Sequence, residues 1–213
     1  MRGLFYRVKD NNAKTQKHGQ RMNHPRHPSG EDHVIQTADQ ARRYVAEIFN
    51  ARRQRIFELL GLAGRNVAFI PIPSSKTTRD TLAAGWNASR LADALAAGGG
   101  GIVRACVAWK TATSSRAEGG DEVPAEELVR RIEIVSAPPD DEALLFVDDL
   151  LTWGNHVAAV DQILVAAGRP AGAFTVATTD GKDCVDCFVP RMRQVLYDPG
   201  LAEWGVRVED MVL

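Results

Sequence analysis

The chain has 213 residues but only three cysteines, and none of its apolar runs is long enough to cross a bilayer. Three unevenly spaced cysteines exclude the disulfide framework that stabilises small secreted domains. The first residues include Arg2, Arg7 and Lys9 and lack the apolar core of a signal peptide. We therefore expect a soluble, cytoplasmic protein without a membrane partner.

The chain also lacks the phosphate-binding sequence G-x-x-x-x-G-K-[ST], which argues against a P-loop nucleoside triphosphatase. The formal net charge is only −1, but the charges are unevenly distributed. Residues 1–55 hold 12 Lys and Arg against 5 Asp and Glu, whereas residues 56–213 hold 14 against 22. A basic segment attracts anionic ligands or nucleic acid through its field, although a solvated surface without a partner has the same composition.

Short apolar runs alternate with segments of helical periodicity along most of the chain. The apolar runs predict buried strands, and the periodic segments predict helices. Strands that alternate with helices are typical of an α/β protein with a doubly wound, mainly parallel sheet. The predicted strands are 4–8, 67–72, 102–109, 132–135, 144–147, 173–177 and 195–197, and the predicted helices run from the capping box at Thr37 to Gly61 and over 80–97, 124–131 and 157–167.

The most informative segment is the predicted strand at 144–147, because two adjacent carboxylates, Asp148 and Asp149, follow it directly. A short turn through Gly154 leads into the next predicted helix. The N-terminus of a helix presents unpaired N–H groups and favours an anion. A ligand with both hydroxyls and a phosphate would satisfy the two halves of this segment, so it predicts a sugar-phosphate site. A purely structural acidic turn is the alternative.

The segment from Leu144 to His156 resembles the signature of the type I phosphoribosyltransferases, in which apolar residues precede two acidic residues, two apolar residues and a Thr/Gly-rich turn. The resemblance implies that Asp148 and Asp149 hold the ribose 2′- and 3′-hydroxyls of phosphoribosyl pyrophosphate (PRPP), with Mg²⁺ at the same carboxylates. It also implies that the turn after them wraps the 5′-phosphate, through Leu151, Thr152, Trp153, Gly154, Asn155 and His156. Trp153 and His156 stand where the family usually has small hydroxyl residues.

The loop after the strand at 67–72 carries hydroxyls and cations, which suit a diphosphate. Ligands of open α/β sheets bind at the carboxyl ends of the strands, where this loop is expected. The resemblance assigns it to the pyrophosphate of PRPP, through Ser74, Ser75, Lys76 and Arg79.

The loop that begins at Lys110 is polar, ends in glycines and is long for a connection. Phosphoribosyltransferases carry a flexible loop at this position, and its closure would exclude water from the reaction. We expect Lys110 and Arg116 to be the catalytic cations that meet the departing pyrophosphate, with an ordinary surface loop as the alternative.

Two further segments carry weaker signals. Residues 79–94, with Gly85, Trp86 and Asn87, are similar to a segment of the competence-associated ComF-like branch of the family, and a capped helix with a basic start is the alternative. Cys184 and Cys187 have the spacing of half a zinc site or a redox pair. A metal site there would need histidines from elsewhere, so two reduced thiols are the simpler interpretation.

The resemblance implies a type I phosphoribosyltransferase-like core at 64–180, covered by a hood built from residues 1–63 and a C-terminal tail at 181–213. It implies an Mg²⁺-dependent enzyme that transfers the phosphoribosyl group of PRPP to a nitrogen nucleophile, such as a nucleobase, and releases pyrophosphate. We also expect a homo-oligomer. The alternative is a PRPP- or nucleotide-sensing module that acts through a protein or nucleic-acid partner, which the basic N-terminal segment favours.

Overall fold

A four-stranded parallel sheet organises the α/β fold. The structure is a computed structural model that describes residues 2–4, 38–113, 123–149, 155–165, 171–175, 191–198, 203–206 and 211–212. In chain order its elements are β1 (Arg2–Leu4), α1 (Ala38–Leu60), β2 (Asn66–Pro71), a 3₁₀ helix (Arg79–Ala84), α2 (Asn87–Ala97), β3 (Ile102–Val103), β4 (Val107–Trp109), α3 (Ala125–Arg131), β5 (Ile132–Ile134), β6 (Glu142–Asp148), α4 (Asn155–Val165), β7 (Ala171–Thr175), β8 (Arg191–Asp198), β9 (Glu203–Val206) and β10 (Met211–Val212).

The parallel sheet has the strand order β3, β2, β6, β7. Its two central strands, β2 and β6, pair over their whole common length, from Asn66 opposite Glu142 to Pro71 opposite Val147. Both are apolar on both faces, as expected of parallel strands that are covered by helices. The predicted mainly parallel α/β sheet is therefore confirmed at this coarse level.

Helices α1 and α2 cover one face of the sheet and run side by side in the same direction. The guanidinium of Arg42 in α1 lies 3.5 Å from the side-chain oxygen of Asn87, the first residue of α2. Eleven residues later, Arg53 donates to the carbonyl oxygens of Leu95 and Gly98 at the end of α2, at 3.1 Å each. The core on this side includes Val45, Phe49, Ile56, Phe69, Leu91, Leu95, Ala143, Leu145 and Val147.

The opposite face of the sheet packs against α4, α3 and the β4–β5 hairpin. Successive side chains of a strand point to opposite faces of the sheet. Ile70 of β2 and Leu144 and Phe146 of β6 point to this second face. They meet Trp109 of β4 and Val160 of α4 in a second buried cluster. The sheet thus has helices on both of its faces.

The structure corrects two sequence predictions, one of a strand and one of a helix. The strand predicted at 102–109 is two strands, because only β3 joins the parallel sheet, whereas β4 pairs with β5 in an antiparallel hairpin. The strand predicted at 132–135 is therefore the second arm of that hairpin. The helix predicted at 80–97 is interrupted at Gly85, whose positive φ of 69° ends the 3₁₀ helix before α2 begins.

The terminal strands form a separate antiparallel arrangement in which β8 pairs with β1, β9 and β10. The strand predicted at 195–197 lies within β8, whereas residues 5–8 of the first predicted strand lie outside the described residues. No helix in the described ranges is both long and apolar enough to cross a membrane. The division into core, hood and tail stays a prediction.

Candidate functional site at the carboxyl edge of the sheet

The acidic pair and the hydroxyl-rich loop meet at the same edge of the parallel sheet. Pro71 and Val147 are the last paired residues of β2 and β6, so Pro73–Arg79 and Asp148–Asp149 both begin where these neighbouring strands end. The N–H of Ile72 donates to the carbonyl oxygen of Val147 at 2.8 Å, so the two chain segments remain hydrogen-bonded where the strands end. This edge is where ligands of open α/β sheets bind.

The acidic pair itself is accessible. Asp148 is half-buried and Asp149 is exposed. The Oδ1 atom of Asp148 accepts the backbone N–H of Asp149 at 2.9 Å, which orients the first carboxylate. By the alternation along β6, Asp148 lies on the sheet face that α4 covers, the same face as Phe146.

The loop after β2 is organised by its own hydroxyl and backbone groups. The Oγ atoms of Ser74 and Thr77 lie 2.8 Å apart, and the N–H of Thr77 donates to the carbonyl of Ser74 at 2.8 Å. The carbonyl of Ser75 accepts the N–H of Thr113 at 2.8 Å, so the start of the loop that follows β4 packs on this loop. Ser74 and Lys76 are exposed, as a ligand loop requires.

A buried tryptophan is hydrogen-bonded to the residue at which this loop begins. The Nε1 atom of Trp86 donates to the carbonyl oxygen of Ile72 at 2.7 Å, and Trp86 is 9% exposed. This hydrogen bond fixes the end of β2 against the residue that precedes α2.

Two of the predicted cations have protein partners. Arg79 forms an ion pair with Glu133 of β5 at 3.1 Å while more than half of its side chain remains exposed. The Nζ atom of Lys110 donates to the carbonyl of Arg130 at 2.7 Å, at the end of α3. Either cation would have to leave or share its present partner to contact a pyrophosphate.

The N-terminus of α4 lies on the same side of the sheet as Asp148. The side-chain amide of Asn155 donates to the carbonyl of Val123 at 3.1 Å, which fixes the first residue of the helix against the segment before α3. The next residue, His156, packs its ring edge-on against Trp109, with 5.3 Å between ring centroids. The surrounding protein disfavours the charged imidazole and lowers the pKa of His156, although the residue keeps solvent-exposed surface.

Five predicted site residues cannot be placed. Arg116, Leu151, Thr152, Trp153 and Gly154 lie outside the described residues, as do Cys184 and Cys187. The structure therefore places Ser74, Ser75 and Lys76 at the same sheet edge as Asp148 and Asp149, whereas the side chain of Arg79 pairs with β5. Asn155 and His156 are on the helix that packs on the same side of the sheet as Asp148.

The donor set fits a magnesium ion that is shared with a substrate. Mg²⁺ commonly takes one or two carboxylates and completes its octahedron with waters and substrate oxygens. Asp148 and Asp149 supply such carboxylates at an accessible position. Within the described ranges, no group of three or more His, Cys, Asp or Glu side chains lies close enough together to hold a metal ion.

Trp109 is the site residue that the sequence did not reveal. It is 1% exposed, its backbone N–H donates to the carbonyl of Thr77 at 2.9 Å, and its ring contacts His156. It thus joins the loop after β2 to the start of α4. The aromatic residue at the end of a predicted strand was visible in the sequence, but its non-local partners were not.

A cavity of about 520 Å³ lies elsewhere, between α1 and α2. It is on the sheet face opposite to Asp148, because α1 and α2 pack on Ala143, Leu145 and Val147, which alternate with Asp148 along β6. Charged side chains dominate its lining, which consists of Asp39, Arg42, Arg43, Arg90, Asp93 and Ala94. The cavity shares no residue with the predicted sugar-phosphate site.

No protein-family model matches the chain, and a search of curated proteins finds no match.

Proposed function

We propose that the chain is a phosphoribosyltransferase with a type I phosphoribosyltransferase-like core, which uses Mg²⁺ and PRPP and releases pyrophosphate. The observation that carries the proposal is the in-register pairing of β2 and β6, through which the acidic pair and the Ser74–Arg79 loop leave one edge of the sheet side by side. The motif resemblance requires this juxtaposition of carboxylates and diphosphate-binding groups.

In the proposed complex, Asp148 and Asp149 accept hydrogen bonds from the ribose hydroxyls and hold Mg²⁺. The ion, when bound, would neutralise charge on the pyrophosphate and so ease its departure. Ser74 and Lys76 are exposed residues of the β2 loop, and a hydroxyl and an ammonium group are donors that suit a diphosphate.

The reaction forms a bond from the acceptor nitrogen to C1 of the ribose and breaks the bond from C1 to the pyrophosphate oxygen. The acceptor nitrogen loses its proton, and the bonding pair leaves with pyrophosphate. The sheet edge would orient the sugar, while Lys110 and Arg79 would exchange Arg130 and Glu133 for the leaving group.

Pyrophosphate release is the direct test. We expect release when PRPP, Mg²⁺ and the correct member of a panel of nucleobases and other nitrogen acceptors are present, and its loss in D148N/D149N. The matched control is D140N/D141N, a second adjacent aspartate pair at the other end of β6, where both residues are exposed. If PRPP binds but no acceptor gives pyrophosphate release, the enzyme hypothesis is rejected and the sensing module remains as the alternative.

The sensing module with a nucleic-acid partner is the second candidate, and the structure sharpens its test. Of the five arginines in α1, Arg42 and Arg53 make internal contacts to Asn87 and to the end of α2. The other three arginines have solvent-accessible side chains and make no such contact to α2; they are Arg43, Arg52 and Arg55.

The variant R43Q/R52Q/R55Q should weaken binding to DNA or RNA and flatten its salt dependence, because each lost phosphate contact lowers the slope by about one. Fluorescence anisotropy at several salt concentrations measures both quantities. Absence of nucleic-acid binding by the unmodified protein at low salt would eliminate this candidate.

A further inference from the structure

The charged cavity of about 520 Å³ lies between the first turns of α1 and the first turns of α2. Arg42 and Arg43 line it from α1, and Arg90 lines it from α2. Its volume is in the range of small-molecule sites, which are clefts of about 300–1,000 Å³. Because the cavity is on the sheet face opposite to Asp148, a ligand bound there would not occupy the proposed PRPP site.

Arg42 forms part of the wall of this cavity. Its guanidinium pairs with Asp39 at 2.5 Å and lies 3.5 Å from the side-chain oxygen of Asn87, and only 15% of its side chain is exposed. The hydrogen bond and the charge of Arg42 hold the pKa of Asp39 below its ordinary value, and the charges of Arg90 and Arg43 lower this pKa further. The three positive charges therefore converge on one place, and Arg42 already neutralises Asp39.

Arg43 and Arg90 are the cations that remain available to a ligand. Both are exposed, and within the described part of the chain neither guanidinium has a hydrogen-bond or ion-pair partner. Asp93 is the one lining carboxylate that Arg42 does not neutralise. Two unpaired guanidinium groups against one carboxylate leave the cavity positive, and the field of the two helix dipoles adds to this. The charge of the cavity therefore favours an anion.

The positions of the two guanidinium groups distinguish between kinds of anion. Arg43 belongs to α1 and Arg90 to α2, so they approach the cavity from different helices. A carboxylate has two oxygens, which one guanidinium fork can pair, whereas a phosphoryl group has three acceptor oxygens and can pair with two forks at once. The cavity is larger than a free phosphate ion needs, so the ligand has room for an organic part. Asp93 can accept a hydrogen bond from a hydroxyl group of that part.

We propose that this cavity binds a small phosphomonoester, with its phosphoryl group between the guanidinium groups of Arg43 and Arg90 and a hydroxyl group on Asp93. The site is separate from the carboxyl edge of the sheet, and the inference does not rest on the proposed function.

Chemical modification of arginine tests the proposal one residue at a time. Phenylglyoxal reacts with accessible guanidinium groups, and peptide mapping of the complete protein measures the reaction at each arginine. Inorganic phosphate and glycerol 3-phosphate are the probes. At about ten times the dissociation constant, either probe should slow the reaction of Arg43 and Arg90 by about tenfold. Arg65, an exposed arginine between α1 and β2, is the control in the same sample and should react at an unchanged rate.

Thermal unfolding of R43Q/R90Q supplies a second readout. Without a ligand, we expect this variant to melt at the same temperature as the unmodified protein or higher, because the removed groups have no described protein partner. Phosphate should raise the melting temperature of the unmodified protein more than that of R43Q/R90Q, since ligand binding stabilises the folded state. R55Q/R65Q, which loses two exposed arginines outside the cavity, should respond to phosphate like the unmodified protein.

Asp93 has a test of its own. In D93A, the concentration of glycerol 3-phosphate that gives half protection should rise relative to that of inorganic phosphate, which has no organic hydroxyl. The ratio of the two concentrations matters because the lost negative charge strengthens the binding of both anions. An unchanged ratio would overturn the contact between Asp93 and the hydroxyl group.

Three outcomes would overturn the main inference. The first is an equal reaction of Arg43 and Arg90 with and without the phosphate compounds. The second is protection by succinate, a dicarboxylate, as strong as that by glycerol 3-phosphate, which would overturn the assignment to a phosphoryl group. The third is protection by an oligonucleotide alone, which would assign these arginines to the nucleic-acid candidate. Because no arm uses PRPP or pyrophosphate release, the inference and the proposed function can fail separately.

Discussion

Asp148 and Asp149 are the residues through which the proposed function can be separated from a structural role. Asp148 accepts the N–H of Asp149 at 2.9 Å, and an asparagine at 148 keeps an oxygen for that bond. D148N/D149N also removes two adjacent negative charges. We therefore expect its melting temperature to be unchanged or slightly raised, the usual exchange between stability and function.

The affinity of D148N/D149N for PRPP should fall by about 1.5–3 kcal/mol for each charged hydrogen bond that is lost. Calorimetry measures the affinity and thermal unfolding measures the stability of the same sample. D140N/D141N is the control that should leave PRPP binding intact. Early melting of D148N/D149N with unchanged affinity would show that the pair is structural.

His156 makes a prediction for acid stability. Its pKa in the folded protein lies below the ordinary value of 6.5, so the unfolded chain binds the proton more tightly. Protonation of His156 therefore favours the unfolded chain. The free energy of unfolding is unaffected by His156 above pH 6.5 and decreases as the pH falls from 6.5 to the lowered pKa. H156Q should therefore lose less stability than the unmodified protein between pH 7.5 and pH 5.

Denaturant unfolding at those two pH values measures the difference. The other four histidines are present in both proteins, so the comparison isolates His156. An equal loss of stability in the two proteins would contradict the lowered pKa.

At the scale of elements, Arg53 links the two helices on one face of the sheet. Its guanidinium binds the carbonyls of Leu95 and Gly98, where the C-terminal end of α2 favours a cation. R53A should destabilise the protein by about 1–3 kcal/mol, because it removes charged hydrogen bonds and a contact with the Phe49 ring. Chemical unfolding measures this loss. R52A, one position earlier on α1, is the matched control, and equal effects of the two variants would refute the capping role.

The glycine run after α2 shows what the sequence could and could not predict about elements. The glycines at 98–101 predicted the end of a helix, which is confirmed. Their packing role was not predictable, because it depends on distant residues. A Cβ atom at Gly98 would overlap Asn50 of α1, and one at Gly101 would overlap the ring of Phe69 in β2. Such contacts between elements leave no local pattern in the chain.

At the scale of the whole molecule, the parallel core was predictable because β2 and β6 are continuous apolar runs, each followed by polar residues and a helix. The β4–β5 hairpin was not predictable in the same way. Short segments such as Val107–Trp109 and Ile132–Ile134 carry no mark of strand direction, and their antiparallel pairing depends on the intervening chain. The acidic pair and the β2 loop were therefore located from the sequence, whereas Trp109 and the partners of Arg79 and Lys110 were not.

A crystal structure of the protein with PRPP and Mg²⁺ tests the central claim most directly. The account predicts the ribose hydroxyls within hydrogen-bond distance of Asp148 and Asp149, and the pyrophosphate on the Ser74–Arg79 loop. The cavity that includes Arg43 and Arg90 is an internal control, because it also offers cations but lies on the other face of the sheet. PRPP bound in that cavity, with the carboxyl edge of the sheet empty, would contradict the account.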